Sequence, residues 1–148
     1  MISIELIKKL RLRTGAGIAD CREALEVAKG DLTKAEEVIK KKGLEKATKK
    51  SARETHQGQV FSYVHRGKIG VLVSMLCETD FVAKTEDFQN LGKEICLQVA
   101  SMNPKEISDL EAQEYIRDPQ QKIGDMIKAT IAKLGENIKV GEFSRVVV

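Results

Sequence analysis

The chain has 148 residues, 42% of them hydrophobic and 32% charged, with two prolines and 11 glycines; this balance belongs to a soluble globular protein and argues against extended disorder. The formal charge of +3 is too mild to point to nucleic acid by itself. No apolar run nears the roughly 20 residues that span a bilayer, and Lys8, Lys9, Arg11 and Arg13 interrupt any signal-like stretch at the N-terminus.

Residues 1–43 read as three short helices. Ser3 caps the first, where Ile4, Ile7 and Leu10 recur at helical spacing. Thr14-Gly15-Ala16-Gly17 breaks it, because two glycines in four residues permit a tight turn. The second helix carries Ile18, Cys21, Ala24, Leu25 and Ala28 on one face and ends at Lys29-Gly30-Asp31. Asp31 caps a third, which buries Leu32, Ala35, Val38 and Ile39 and stops before Gly43. Helices of about 10 residues do not stand alone, so these three pack together.

Residues 44–57 read as a basic linker. From Lys40 to Arg53 there are seven basic residues against Glu45 alone. A polyanion contact and a solvated helical or extended linker both account for that run, and the lack of interleaved aromatics favours the linker.

From Gln59 the period becomes two, and Val60, Ser62 and Val64 alternate with Phe61, Tyr63 and His65. Arg66-Gly67-Lys68 turns the chain into a return strand, Ile69 to Leu76, with Gly67 available for positive φ. The continuous apolar content of this strand predicts a central position or burial on both faces. Thr85 caps the next helix, and Phe88, Leu91, Ile95 and Val99 form its core stripe until Asn103-Pro104 ends it. Residues 105–119 are polar and without a clear period. A last helix covers Gln121 to Leu134, and Ile138 to Val148 reads as a strand. The fold class is α+β: a small, mostly antiparallel sheet covered by helices follows the N-terminal helices, with the core domain at 58–148.

No catalytic constellation is legible. There is no phosphate-binding P-loop, no G-x-G-x-x-G after a strand and no H-E-x-x-H. Cys21, Cys77 and Cys96 are widely spaced and lack a C-x-x-C partner, so they read as small buried apolar residues in a reducing, cytoplasmic setting. No metal or cofactor is expected.

Between strand and helix lies Glu78-Thr79-Asp80-Phe81-Val82-Ala83. Only 4% of the chain is aromatic, so a Phe in a turn stands out. Two readings are open. Asp80 caps the coming helix while Phe81 folds back onto the sheet, or the pair is offered to a partner as a wedge with a charge beside it. This hexapeptide resembles a signature of the elongation factor Ts family. Leu10 to Leu25, with its Thr14-Gly15-Ala16-Gly17-Ile18-Ala19-Asp20-Cys21 centre, resembles a second family motif. Ile131-Ala132-Lys133-Leu134-Gly135-Glu136-Asn137-Ile138 resembles a third, and the three stand in the family's order.

The resemblance implies a ubiquitin-associated-like three-helix module at residues 1–43. It also implies a non-enzymatic guanine nucleotide exchange factor for the GTPase elongation factor Tu. In the family two surfaces touch the GTPase. The matching positions are Arg11, Ile18 and Ala19 in the N-terminal module and Thr79, Asp80, Phe81 and Val82 in the exchange wedge. The family often carries Met where Ile18 and Ala19 stand; Ile18 keeps the apolar contact and has the alternative of serving its own module's core, while Ala19 is small and contributes less. Compact members pair through their core sheets, which predicts a homodimer here, and the apolar Val146-Val147-Val148 end suits a pairing edge. Residues 105–119 stand where the family carries a longer helical insertion. An adaptor that docks helical partners and an RNA-binding protein using residues 40–53 are the alternatives; neither membrane nor direct nucleic-acid contact is expected.

Overall fold

The computed structural model describes residues Met1–Val148. The N-terminal module consists of α1 (Ile4–Thr14), α2 (Ile18–Val27) and α3 (Leu32–Lys50). The Ser3 hydroxyl accepts from the Leu6 amide, and Asp31 accepts from the Lys34 amide, so both predicted caps are in place. Gly15 and Gly30 take positive φ between the helices. Ile7, Leu10, Cys21, Ala24, Leu25, Ala28 and Ala35 form a core of their own. Ile4 is the exception in its stripe and faces solvent.

The core begins with a hairpin, β1 (Gln57–His65) and β2 (Ile69–Cys77). Arg66 and Gly67 both adopt positive φ at the centre of a turn that the Lys68 amide closes on the His65 carbonyl, within the three-residue connection between paired His65 and Ile69. A one-turn helix α4 (Asp80–Ala83) leads into the long α5 (Glu86–Met102). Then follow α6 (Ile107–Ala112), the short strands β3 (Glu114–Tyr115) and β4 (Asp118–Lys122), α7 (Ile123–Leu134) and β5 (Ile138–Val147). The main sheet has the order β1-β2-β5 and is antiparallel throughout. Its covered face presents Phe61, Val71, Val73, Met75, Cys77, Ile138 and Val140 to Phe88, Leu91, Ile95 and Val99 of α5 and to Ile123, Ile127 and Ile131 of α7. The α+β class read from the sequence is what the structure has.

Four expectations need correction. The third helix does not stop at Gly43 but continues to Lys50, and Ala47 is buried in the main core. Gly43 serves close approach instead: a Cβ there would lie 3.1 Å from that of Ala132 on α7. Residues 44–50 of the expected linker are therefore helical. Second, of the two readings of β2 the central position holds and burial on both faces does not, since Leu72 on the other face is exposed. Third, residues 105–119 are not formless. Leu110 of α6 is fully buried, and β3 and β4 form a second, two-stranded sheet. The buried Gln98 amide organises this segment, donating to the Glu114 carbonyl at 3.0 Å and accepting from the Ile116 amide at 3.1 Å. A buried amide with both ends satisfied is invisible to periodicity. Finally, Gln121 belongs to β4, so α7 starts at Ile123.

Candidate functional site

Strand β2 ends at Cys77 because Thr79 opens a helix. The Thr79 hydroxyl accepts from the Val82 amide at 3.2 Å, so Thr79 and not Asp80 is the cap of α4. Asp80 and Phe81 are then the first two residues of a single turn, and both point outward. Phe81 is 81% exposed, and every other Phe and Tyr of the chain is buried or half-buried. The ring does not fold back onto the sheet. Asp80 is also exposed and lies 3.8 Å from the Lys84 ammonium, a weak surface pair. Val82 does the opposite: it is buried in the main core with Ala83 and anchors the turn.

The turn is held by groups distant in sequence. Glu136, just beyond α7, accepts from the Thr79 amide at 3.0 Å and from the Thr79 hydroxyl at 2.8 Å. The Cys77 thiol donates to the Thr79 carbonyl at 3.1 Å. Burial, and then the nearby Glu136 carboxylate, push the Cys77 thiol above its ordinary value, which keeps the donor proton on sulfur. Glu78 accepts from the Asn137 amide at 2.8 Å and pairs with Arg53 at 3.5 Å. Asn137 is buried, and its side-chain amide donates to the Arg53 carbonyl at 2.8 Å. Lys50, at the end of α3, donates to the Gly135 carbonyl at 3.1 Å. The bracing residues Arg53, Glu78, Glu136 and Asn137 were not singled out from the sequence as site residues, although the hexapeptide and the third motif contain three of them.

In the N-terminal module Arg11, Ile18 and Ala19 are all exposed. Ile18 retains 56% of its surface, so it is not core of its own module. Leu12, beside Arg11 on α1, is 88% exposed and adds an apolar residue that the reading of the sequence overlooked. Its signal was available: Leu12 sits directly opposite the buried Ile7 and Leu10 on the helical wheel.

Module and core meet along α3 and α7. Lys42 reaches Asp20 at 3.1 Å and Glu23 at 2.6 Å, and Lys46 reaches Asp20 at 3.3 Å. The hydrogen bond from Lys42 holds the Asp20 carboxyl below its usual value. Lys133 of α7 pairs with Asp87 at 3.1 Å. Lys42, Lys46 and, through Gly135, Lys50 of the basic stretch are committed within the chain. Cys21, Cys77 and Cys96 are buried free thiols, and His56 and His65 are exposed with neighbours Glu54 and Tyr63 at 2.9 and 2.7 Å. No helix is long and apolar enough to cross a membrane.

These features make up one class of protein: a three-helix module seated on an α+β core, with an exposed acidic–aromatic pair on a turn braced from distant parts of the chain. A family profile described as "Elongation factor TS" matches residues 78–148. Proteins named elongation factor Ts from Petrotoga mobilis, Thermosipho melanesiensis and Thermoanaerobacter sp. (strain X514) are 44%, 41% and 41% identical to this chain. The alignments cover 97%, 100% and 98% of the chain and 96%, 99% and 94% of those relatives. The chain belongs to the elongation factor Ts family and is a translation elongation factor. The alignments run over 190, 194 and 191 residues, more than this chain has, so each relative carries internal residues without a counterpart here.

Proposed function

We propose that the chain binds elongation factor Tu in its GDP-bound form and speeds GDP release, so that GTP can enter. Asp80 and Phe81 act as the wedge. Thr79 caps the turn that presents them, and Val82 ties it to the core. Arg11, Ile18 and Ala19 of the N-terminal module, with Leu12 beside them, grip the nucleotide-binding domain. The observation that carries this reading is an exposed Phe81 on a turn held at both ends, a ring kept out of its own core.

The chemistry asks for nothing more. A GTPase holds GDP through backbone N–H groups, a Lys and a Mg²⁺ ion that offsets phosphate charge. Phe81 inserts between partner side chains near that site, and Asp80 competes for the groups that order the phosphates. Exchange breaks no covalent bond, so this reading assigns the chain no catalytic residue and no cofactor. By linkage, tighter binding to the empty state weakens GDP by the same factor. Each tenfold needs about 1.4 kcal/mol of differential binding. Burying one Phe ring is worth about 1.5–3 kcal/mol, so Phe81 alone supplies one to two such factors. Contacts made equally in both states tighten the complex without moving the nucleotide. The N-terminal grip is of that second kind.

Labelled-GDP release from the GTPase at rising concentrations of this protein separates the two roles. Phe81→Ala lowers the maximal release rate about ten- to hundredfold, whereas Ile18→Asp raises the concentration needed and leaves the maximum in place. Release as fast with Phe81→Ala and Asp80→Asn as with the natural chain rejects the wedge.

The protein acts in the cytoplasm, where translation runs, and as a homodimer. The support for the dimer is the uncovered face of the main sheet, where Val60, Val64, Leu72 and Val146 are exposed side by side.

A further inference from the structure

Three segments far apart in sequence converge behind the turn: the end of α3, the end of β2 and the residues after α7. Glu136 and Asn137 are the junction. One carboxylate of Glu136 takes both the amide and the hydroxyl of Thr79, at 3.0 and 2.8 Å. Two bonds from one ionised acceptor are stronger and more directional than neutral ones. The neighbouring Asn137 is 3% exposed. Its backbone amide donates to Glu78 at 2.8 Å, while its side chain donates to the Arg53 carbonyl at 2.8 Å and the Ser51 carbonyl at 3.4 Å. Lys50 closes the ring by donating to Gly135. Since α3 also carries the N-terminal module, the same few atoms tie both proposed contact surfaces to one point.

We infer that Glu136 and Asn137 are positioning residues that fix the direction of Phe81 and hold it in register with the N-terminal module. The inference rests on the exchange reading above. Neither residue touches the partner. Glu136 holds Thr79, whose hydroxyl in turn receives the Val82 amide and starts the helical turn. With Glu136 removed, Thr79 keeps its cap, the Cys77 thiol contact and the Ala83 amide on its carbonyl, and Val82 and Ala83 stay in the core; the four-residue α4 is then held from its C-terminal side alone, and its N-terminal end, which carries Phe81, is free to turn. A free turn still lets Phe81 meet the partner, but in many directions, and a working group displaced by about an ångström loses rate rather than affinity. Asn137 acts one step further back: its side chain holds the chain leaving α3 at Arg53 and Ser51, while its bond to Glu78 comes from the backbone and survives Asn137→Ala.

The test uses the full chain with Glu136→Ala, Glu136→Gln, Asn137→Ala and Phe81→Ala, and measures labelled-GDP release from the GTPase at saturating and half-saturating concentrations. The expected result for Glu136→Ala is a maximal rate lower by about ten- to hundredfold with an unchanged half-saturating concentration. Glu136→Gln, with one acceptor oxygen left, falls between it and the natural chain, and keeps the test decisive if the Ala variant does not fold. Leu110→Ala, a core truncation in α6, controls for mere loss of stability and retains the maximal rate. The inference is overturned if Phe81→Ala is slow while Glu136→Ala and Asn137→Ala match the natural chain, or if Leu110→Ala slows release as they do. If Phe81→Ala itself is as fast as the natural chain, it is the exchange reading that fails.

Discussion

Thr79 and Val82 show how much a single position depends on what surrounds it. Both stand in the hexapeptide beside Asp80 and Phe81, yet Thr79 is spent on capping and on Glu136, while Val82 disappears into the core. Thr79 is exposed with its hydroxyl already bonded, and the middle pair, Asp80 and Phe81, is exposed beside it. Tyr115 is a second instructive residue. Its hydroxyl donates to Glu94 at 2.6 Å, and burial together with that carboxylate pushes its pKa to about 12. A tyrosine unfolds to a value near 10. The folded state therefore keeps its proton longer, so the contribution is complete below about pH 10 and is lost as pH rises from there toward 12. Denaturant midpoints measured from pH 9 to 11.5 should fall more steeply for the natural chain than for Tyr115→Phe. Equal slopes would remove the Glu94 contact from the account.

Among the elements, α3 decides how the molecule is assembled. Its 19 residues run from the N-terminal module onto the core without a break. Gly43 marks where it crosses α7. In an open helix interior, Gly→Ala gains about 1 kcal/mol of helix propensity. Here the added Cβ meets Ala132 at 3.1 Å, so that gain is offset by crowding. Gly43→Val is expected to destabilise by about 1–3 kcal/mol, the usual cost of overpacking, read as a shift in urea midpoint. A Gly43→Ala variant more stable by the full propensity gain would show that the two helices are not in close contact. On the α2 side, the packing of α2 against α3 leaves the lysine-rich surface partly self-neutralised, since Lys42 and Lys46 are drawn to Asp20.

At the scale of the whole molecule, one sheet face is covered and the other is not. Val60, Val64, Leu72 and Val146 are between 52% and 66% exposed on the open side. A second copy laid on this face buries them, which is the form the proposed dimer takes. Light scattering on the natural chain is expected to give twice the 16.4 kDa of one chain. Leu72→Lys, which sets a charge at the centre of that face, returns it to one. A single 16.4 kDa species for the natural chain at high concentration would reject the dimer.

Periodicity, caps and turn glycines are local properties, and the sequence by itself determined what they govern. The helix at Ser3, the stop at Gly30, the Arg66-Gly67 turn, the α5 stripe and the central place of β2 were all legible, because each depends on residues within a few positions. The family was legible too, from three motifs in order. What only the tertiary structure decided is which side each residue faces and what holds it there. Gly43 reads locally as a helix stop, and only the approach of Ala132, far along the chain, turns it into a crossing point. Phe81 is outside and Val82 inside, and the turn that carries both is bonded at Thr79 to Glu136, 57 residues further on. Burial and long-range hydrogen bonds are settled by chain segments meeting in space, and no local pattern records that meeting.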